Sequence, residues 1–204
     1  MATGEHHVLK ILRRKGRTNR PSPCLDREFN LHRRFEHPNI VRMFDNGIHG
    51  SDQYLSMELA RGMDLDVHVK EQGPVEADRA VEIIRQAAAA LAHVHSKGVV
   101  HRDIKPANFV LASNGTLKLI DFGIAIDCEE HSSLRAKNQW FLGTPQYCAP
   151  EQVLDGLRVD PRADLYGLGG VLYWLLTGHA PVPGDGNREQ VMMQHLERPL
   201  TPVE

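Results

Sequence analysis

The feature that most constrains this chain is a short predicted hairpin with polar residues gathered at both of its open ends. Phe109-Val110-Leu111-Ala112 and Thr116-Leu117-Lys118-Leu119-Ile120 read as strands, with Ser113-Asn114-Gly115 between them. Asn-Gly favours the tight turn whose twist matches that of paired strands. Before the first strand stands His101-Arg102-Asp103-Ile104-Lys105-Pro106-Ala107-Asn108, and after the second stands Asp121-Phe122-Gly123. A hairpin returns its two ends to one place, so Asp103, Lys105, Asn108 and Asp121 are predicted to converge. Two carboxylates, an amide oxygen and an ammonium group in one small site suit a hard, oxygen-ligated cation together with a phosphate. Mg²⁺ takes one or two carboxylates plus phosphate oxygens. The lysine can neutralise charge on a moving phosphoryl group, and the remaining carboxylate can accept a proton from an incoming hydroxyl.

Around this centre the chain divides into a β-rich first part and a helical remainder. His7–Leu12 reads as a strand, followed by a basic, proline-containing loop from Arg13 to Pro23. Asp26–Phe35 reads as a helix, ended by His37-Pro38-Asn39 because proline disfavours helical geometry in the residue before it. Ile40–Phe44 and Gln53–Leu59 read as strands, with turns at Asp45-Asn46-Gly47 and Gly50-Ser51-Asp52. From Ala60-Arg61-Gly62 the pattern becomes helical. Asp78–Lys97 carries Val81, Ile84, Ala88, Leu91 and His95 as one predicted apolar face, with Gly98 as its left-handed cap. Asp164–Thr177 is apolar nearly all round, which predicts a helix buried in the centre of its lobe, stopped by Gly178. The fold class expected is α+β: a small β-rich lobe over residues 1–59 and a larger, mainly helical lobe over 60–204. The cleft between two such lobes is a natural ligand site.

The 204 residues carry 24 Lys and Arg against 26 Asp and Glu, a formal net charge of −2. A near-neutral chain is a poor candidate for nucleic-acid binding through bulk charge. The longest strongly apolar stretch, Leu165–Leu176, is shorter than the ~18–20 residues of a membrane span, and the first residues lack the pattern of a secretory signal. Cys24, Cys128 and Cys148 are an odd, scattered set. They read as reduced thiols of a cytoplasmic protein rather than as a disulfide framework or a zinc site. The pairs His6/His7 and His93/His95 lack the four-residue spacing that would put two ligands on one helix face.

The polar clusters resemble those of the protein kinase family, in its serine/threonine branch and with the texture of bacterial members. His101–Asn108 is similar to the catalytic loop, Asp121-Phe122-Gly123 to the metal-binding motif, and Ala149-Pro150-Glu151 to the end of the activation segment. The resemblance implies that Asp103 orients and accepts the proton of a substrate hydroxyl, and that Asn108 and Asp121 hold Mg²⁺ against ATP. It sets Lys105 near the γ-phosphate and Thr144 in contact with Asp103 and Lys105, a serine/threonine-branch feature. His101 and Phe122 fit a stacked column behind the site. Val8-Leu9-Lys10 resembles the strand whose lysine touches the α- and β-phosphates, and Glu28 the helix glutamate that pairs with it. Met57 would flank the adenine pocket, and Glu58 and Ala60 would offer backbone groups to the adenine. Asp64 would reach the ribose, and Val110 would line the nucleotide site. Asp164 matches the buried-helix aspartate that braces the catalytic loop. The implied function is transfer of the ATP γ-phosphate to a Ser or Thr hydroxyl of a protein. The alternatives are a catalytically impaired kinase fragment or pseudokinase acting as a binding module, and a small-molecule phosphotransferase of the same broad fold. The Ala149-Pro150-Glu151 segment and Lys105 speak against the latter.

The sequence departs from the family pattern in three places. Nine residues precede Lys10, with Gly4 the sole glycine among them, so the Gly-rich loop and its two strands are expected to be missing. The family's last helices, and the arginine that pairs with Glu151, would lie beyond Glu204. A sheet and a helical lobe so shortened are expected to expose an edge and apolar surface, with reduced stability. Third, Arg102 goes with activation-loop phosphorylation in this family, yet Ala136–Leu142 contains no Ser or Thr, which leaves Ser132 and Ser133 as the candidate phosphosites.

Overall fold

The computed structural model describes residues 6–12, 23–122, 126–127, 143–154, 159–197 and 202–203. β1 (His7–Leu12) and β2 (Met43–His49) each pair antiparallel with β3 (Asp52–Glu58), giving a sheet of order β1-β3-β2. The register sets Lys10 opposite Leu55 and Val8 opposite Met57, so these four share one face of the sheet. On it Leu55, Met57 and Met43 pack with Leu25 and Phe29 of α1 (Pro23–His32). β1 is an edge of this sheet, and Leu9 and Ile11 on its other face are each 55% exposed.

Two expectations in this region are corrected. The helix predicted over Asp26–Phe35 starts and ends three residues earlier, because proline is tolerated in a first helical turn, where no backbone N–H partner is needed. The strand predicted over Ile40–Phe44 begins at Met43 and runs on through the predicted Asp45-Asn46-Gly47 turn. A register shift between Met43 and Asp45 takes the polar residues into the strand as a bulge. The chain reverses at Gly50, with φ 61°. Ile40 and Val41 instead join the larger lobe. The Val41 N–H donates to Leu119 O at 3.0 Å, and the Leu119 N–H donates to Asn39 O at 2.9 Å.

The larger part begins with β4 (Gly62–Asp64), α2 (Leu65–Gln72) and α3 (Ala77–Ser96). β4 joins the hairpin of β6 (Phe109–Ala112) and β7 (Leu117–Leu119) in a sheet of order β4-β6-β7, and β5 (Val99–Val100) pairs with β8 (Ile126–Asp127). The hairpin forms where predicted. The Ala112 N–H donates to Thr116 O, the Gly115 N–H donates to Ala112 O, and Gly115 takes the left-handed φ of 84° that its turn requires. Gln86 of α3 braces it, accepting the Leu117 N–H at 2.8 Å and donating to Gly115 O at 3.0 Å. Beyond lie α4 (Pro150–Leu154), α5 (Arg162–Thr177) and α6 (Arg188–Glu197). α5 ends on Gly178, whose φ is 73°, as predicted.

The buried face of α3 matches the predicted one only in part. It consists of Ala80, Ile83, Ala87, Ala90, Leu91 and Val94; of the predicted set Leu91 is fully buried and Ile84 and Ala88 pack at its margin, while Val81 is 62% exposed. Three alanines mark this face because α5 approaches closely, and small side chains give a weak periodic signal. The predicted burial of α5 all round is also corrected, since Leu165 is 54% exposed. Its buried side carries Ala163, Asp164, Gly167, Leu168, Gly170, Val171 and Leu175. A Cβ on Gly167 would lie 2.9 Å from the Ile104 Cβ, so glycine there lets the loop before the hairpin lie directly on the helix. One core unites Leu31, Phe35 and Ile40 with α3, α5 and the hairpin. Among the described residues no helix is long and apolar enough to cross a membrane.

Candidate active site

The two polar clusters meet as the hairpin predicts. The Ile120 N–H donates to Asn108 O at 3.0 Å, which closes the open end of the hairpin and sets Asp121 beside the Lys105–Asn108 loop. The Asp103 carboxylate is the centre of that loop. Its Oδ1 accepts from the Thr144 hydroxyl at 2.7 Å, and its Oδ2 lies 2.7 Å from Lys105 Nζ. Lys105 Nζ also donates to Thr144 Oγ1 at 2.9 Å, so Asp103, Lys105 and Thr144 form a closed triangle. Asn108 Nδ2 donates to Asp103 O at 2.7 Å. This fixes the amide so that Oδ1 is the oxygen offered to a cation.

Across the cleft, Lys10 Nζ pairs with Glu28 Oε1 at 2.7 Å and with Asp121 Oδ1 at 3.2 Å. Burial draws the Lys10 pKa down, but its two carboxylate partners outweigh it and leave the value raised. Burial lifts Glu28 above the ordinary carboxylate range despite the ammonium beside it. The surroundings thus favour the ammonium form of Lys10, while burial works against the charged form of Glu28.

The His101–Asn108 loop is held from below by Asp164 of α5, which is 1% exposed. Its Oδ1 accepts the Arg102 N–H at 2.8 Å; its Oδ2 accepts the His101 N–H at 2.9 Å and His95 Nε2 at 2.7 Å. Arg102 sits at φ 71°, a left-handed conformation that costs a non-glycine residue energy. Gln152 of α4 adds a further tie, donating to Arg102 O at 2.9 Å. His101 in turn donates from Nε2 to the Asp121 carbonyl oxygen.

Behind the site four rings stack. Phe122 lies 4.8 Å from His101, 4.4 Å from His32 and 4.9 Å from Phe35, centroid to centroid. His101 and Phe122 belong to the expected column; sequence reasoning missed His32. The available signal was its place four residues after Glu28, on the same face of α1. His32 is fully buried, its Nε2 donates to Val41 O at 2.8 Å, and Nδ1 is buried without a hydrogen-bond partner. Burial accordingly lowers its pKa to about 4. In an unfolded chain a histidine titrates near ~6.5. Between these values the unfolded state binds a proton that the folded state refuses, so stability falls as pH drops from about 6.5 towards 4, by up to about 3 kcal/mol. Urea denaturation at pH 7 and pH 4.5 is expected to show this loss, and His32→Leu to flatten the difference. An unchanged difference in the variant would remove His32 as its source.

The remaining residues predicted for the nucleotide lie on β3, just after it, on β4 and on β6. Met57 is buried at 7% exposure on the α1 side of β3. The Glu58 N–H donates to Arg42 O, and its carboxylate pairs with Lys118 at 2.7 Å. Ala60 is half-buried. Val110 stands opposite Asp64 in the β4–β6 ladder. The Asp64 carboxylate caps α2, with Oδ1 accepting the Val67 N–H at 2.9 Å, a local role that the sequence reading did not anticipate. Gly123, Ser132 and Ser133 lie outside the described residues.

An Asn oxygen and an Asp carboxylate at one end of a cleft, facing a paired lysine, fit Mg²⁺ held jointly with phosphate oxygens. Among the described residues no group of three or more His, Cys, Asp or Glu side chains is placed to hold a metal ion. A small sheet bearing Lys10, with Glu28 on the helix against it, above a helical lobe whose loop carries Asp103, Lys105 and Asn108, makes a fold of two lobes with polar groups facing between them. The family model described as the protein kinase domain matches residues 1–201, and the chain belongs to that family. It is 40% identical to the serine/threonine-protein kinase PknB of Mycolicibacterium smegmatis over 81% of this chain and 27% of that protein. It is 39% identical to PknB of Mycobacterium tuberculosis over the same shares. It is 38% identical to the probable serine/threonine-protein kinase PknB of Lactococcus lactis, over 82% of this chain and 26% of that protein. The chain thus spans about a quarter of the length of the curated relatives it matches.

Proposed function

We propose that this chain transfers the γ-phosphate of ATP to a serine or threonine hydroxyl of a protein, and that it does so in the cytosol, where ATP and Mg²⁺ are held together. The observation that carries this reading is the Asp103–Lys105–Thr144 triangle, with Asn108 bonded to Asp103 O and Asp121 tied to the same loop through His101. Asp103 accepts the proton of the incoming hydroxyl and holds its oxygen towards the phosphorus. Lys105 balances the charge that gathers on the transferred group. Lys10, oriented by Glu28, binds the α- and β-phosphates; Met57, Glu58, Ala60, Asp64 and Val110 line the nucleoside end. Asn108 Oδ1 and the Asp121 carboxylate would hold the metal, which when bound screens the repulsion between the phosphates and the nucleophile.

The test is transfer of label from [γ-³²P]ATP, with Mg²⁺, to matched peptides bearing Ser, Thr or Tyr. Label is expected on the Ser and Thr peptides and not on Tyr. Label no greater than that given by Asp103→Asn protein, or label on Tyr alone, would overturn the reading.

A further inference from the structure

We propose that His195 is a positioning residue for the Gly143–Tyr147 segment, holding it through a directed hydrogen-bond chain from Tyr166 to His195 to the Pro145 carbonyl. The inference rests on the proposed role of Thr144 and extends it to a helix that carries none of the residues named above. α6 packs against α4 and against the single turn Pro145–Tyr147. On that side His195 is only 7% exposed. Its Nε2 lies 2.7 Å from Pro145 O and its Nδ1 lies 2.8 Å from the Tyr166 hydroxyl. A carbonyl oxygen only accepts, so Nε2 carries the hydrogen; Nδ1 of the neutral ring then accepts from the Tyr166 O–H. The tautomer and the direction of the chain are fixed by geometry. Burial lowers the His195 pKa, in keeping with a neutral ring.

A second tie comes from the same helix face. Arg188, seven residues earlier and therefore two turns away, donates from Nη2 to Gly143 O at 3.3 Å. The two carbonyls held by α6, those of Gly143 and Pro145, flank Thr144. Thr144 is the residue that donates to Asp103 and accepts from Lys105. The segment is thus gripped on both sides of the one hydroxyl that touches the proton acceptor. Gln146 is fitted as closely: a Cβ on Gly184, in the loop leading to α6, would fall 2.8 Å from its Nε2. His195 touches no reacting atom in this scheme. It acts through the backbone on either side of Thr144.

The experiment compares the full chain with His195→Phe, His195→Gln and Tyr166→Phe. Phenylalanine keeps the ring volume and loses both bonds, whereas glutamine can still donate to Pro145 O. The first readout needs no turnover. The Tyr147 N–H donates to Thr144 O at 3.1 Å, and its hydrogen exchange is expected to quicken about tenfold in His195→Phe, the loss of one anchoring hydrogen bond. His195→Gln is expected to restore most of the protection, and Tyr166→Phe to lie between. The second readout is kinetic. In His195→Phe, kcat falls and the KM for peptide rises several-fold while the KM for ATP is unchanged, again with recovery in His195→Gln. Exchange at Tyr147 unchanged in His195→Phe overturns the positioning role whatever the activity. Exchange that quickens with the KM for peptide and kcat unaltered overturns the link to Thr144. Wild-type protein that transfers no phosphate refutes the proposed function, and the exchange readout still decides the clamp.

Discussion

Asp103→Asn is expected to lower kcat for phosphoryl transfer by about 10³-fold, with the melting temperature nearly unchanged. The asparagine oxygen can still accept the Thr144 hydroxyl, which now lies 2.7 Å from Oδ1. The amide that replaces Oδ2 cannot accept a proton and no longer attracts the Lys105 ammonium at 2.7 Å. General base catalysis of this kind contributes ~10²–10⁴-fold, and the lost pairing also releases Lys105 from its place. The folded state loses little, because the partners of Asp103 reach partial solvent. Single-turnover measurement at saturating ATP gives kcat free of nucleotide affinity. A variant within tenfold of wild type would leave Asp103 without the role of proton acceptor.

Asp164→Ala is expected to destabilise the fold by about 4 kcal/mol and to abolish turnover with it. The carboxylate is the shared acceptor of the His101 N–H, the Arg102 N–H and His95 Nε2. Alanine leaves the two backbone donors buried without this partner and the half-buried His95 without its acceptor, and an unsatisfied buried donor costs about 1–3 kcal/mol. Water entering the space recovers part of that sum. The strained φ of 71° at Arg102 loses two of the bonds that impose it, so the loop bearing Asp103 relaxes even in molecules that stay folded. Asp164→Asn keeps one acceptor and is expected to lose about half as much. The measurement is urea denaturation, paired with turnover of the fraction still folded. A loss below about 1 kcal/mol would show that the loop keeps its shape without α5.

Local patterns carried far in this sequence. The hairpin, its left-handed Gly115 and the helix stop at Gly178 depend on adjacent residues, and each stands where the sequence puts it. The hairpin brings the backbone before Asp121 beside Asn108, and the Lys10–Glu28 pair stands at the family spacing. What misled was contact with distant residues. The buried face of α3 is defined by alanines under α5, a helix far along the chain, so the larger Val81 drew the eye while lying in solvent. Asp45-Asn46-Gly47 has every local mark of a turn, yet β3 holds it in a bulged strand. Asp64 is a local case instead: it caps α2 through the Val67 N–H three residues on, a contact the sequence reading left out. The parts played by His32, His95 and His195 rest on partners 9, 69, 29 and 50 residues away, separations at which a histidine in a string of letters carries no address.

The contact between Lys10 and Asp121 joins the two lobes, at 3.2 Å. Asp121 is tied to the larger lobe through its own carbonyl, which accepts from His101. The cleft therefore carries an internal counter-ion where a triphosphate would lie. On the proposed reading, phosphates that pair with Lys10 would loosen its bond to Asp121, so that binding of a nucleotide and of a metal would be coupled through one ammonium group.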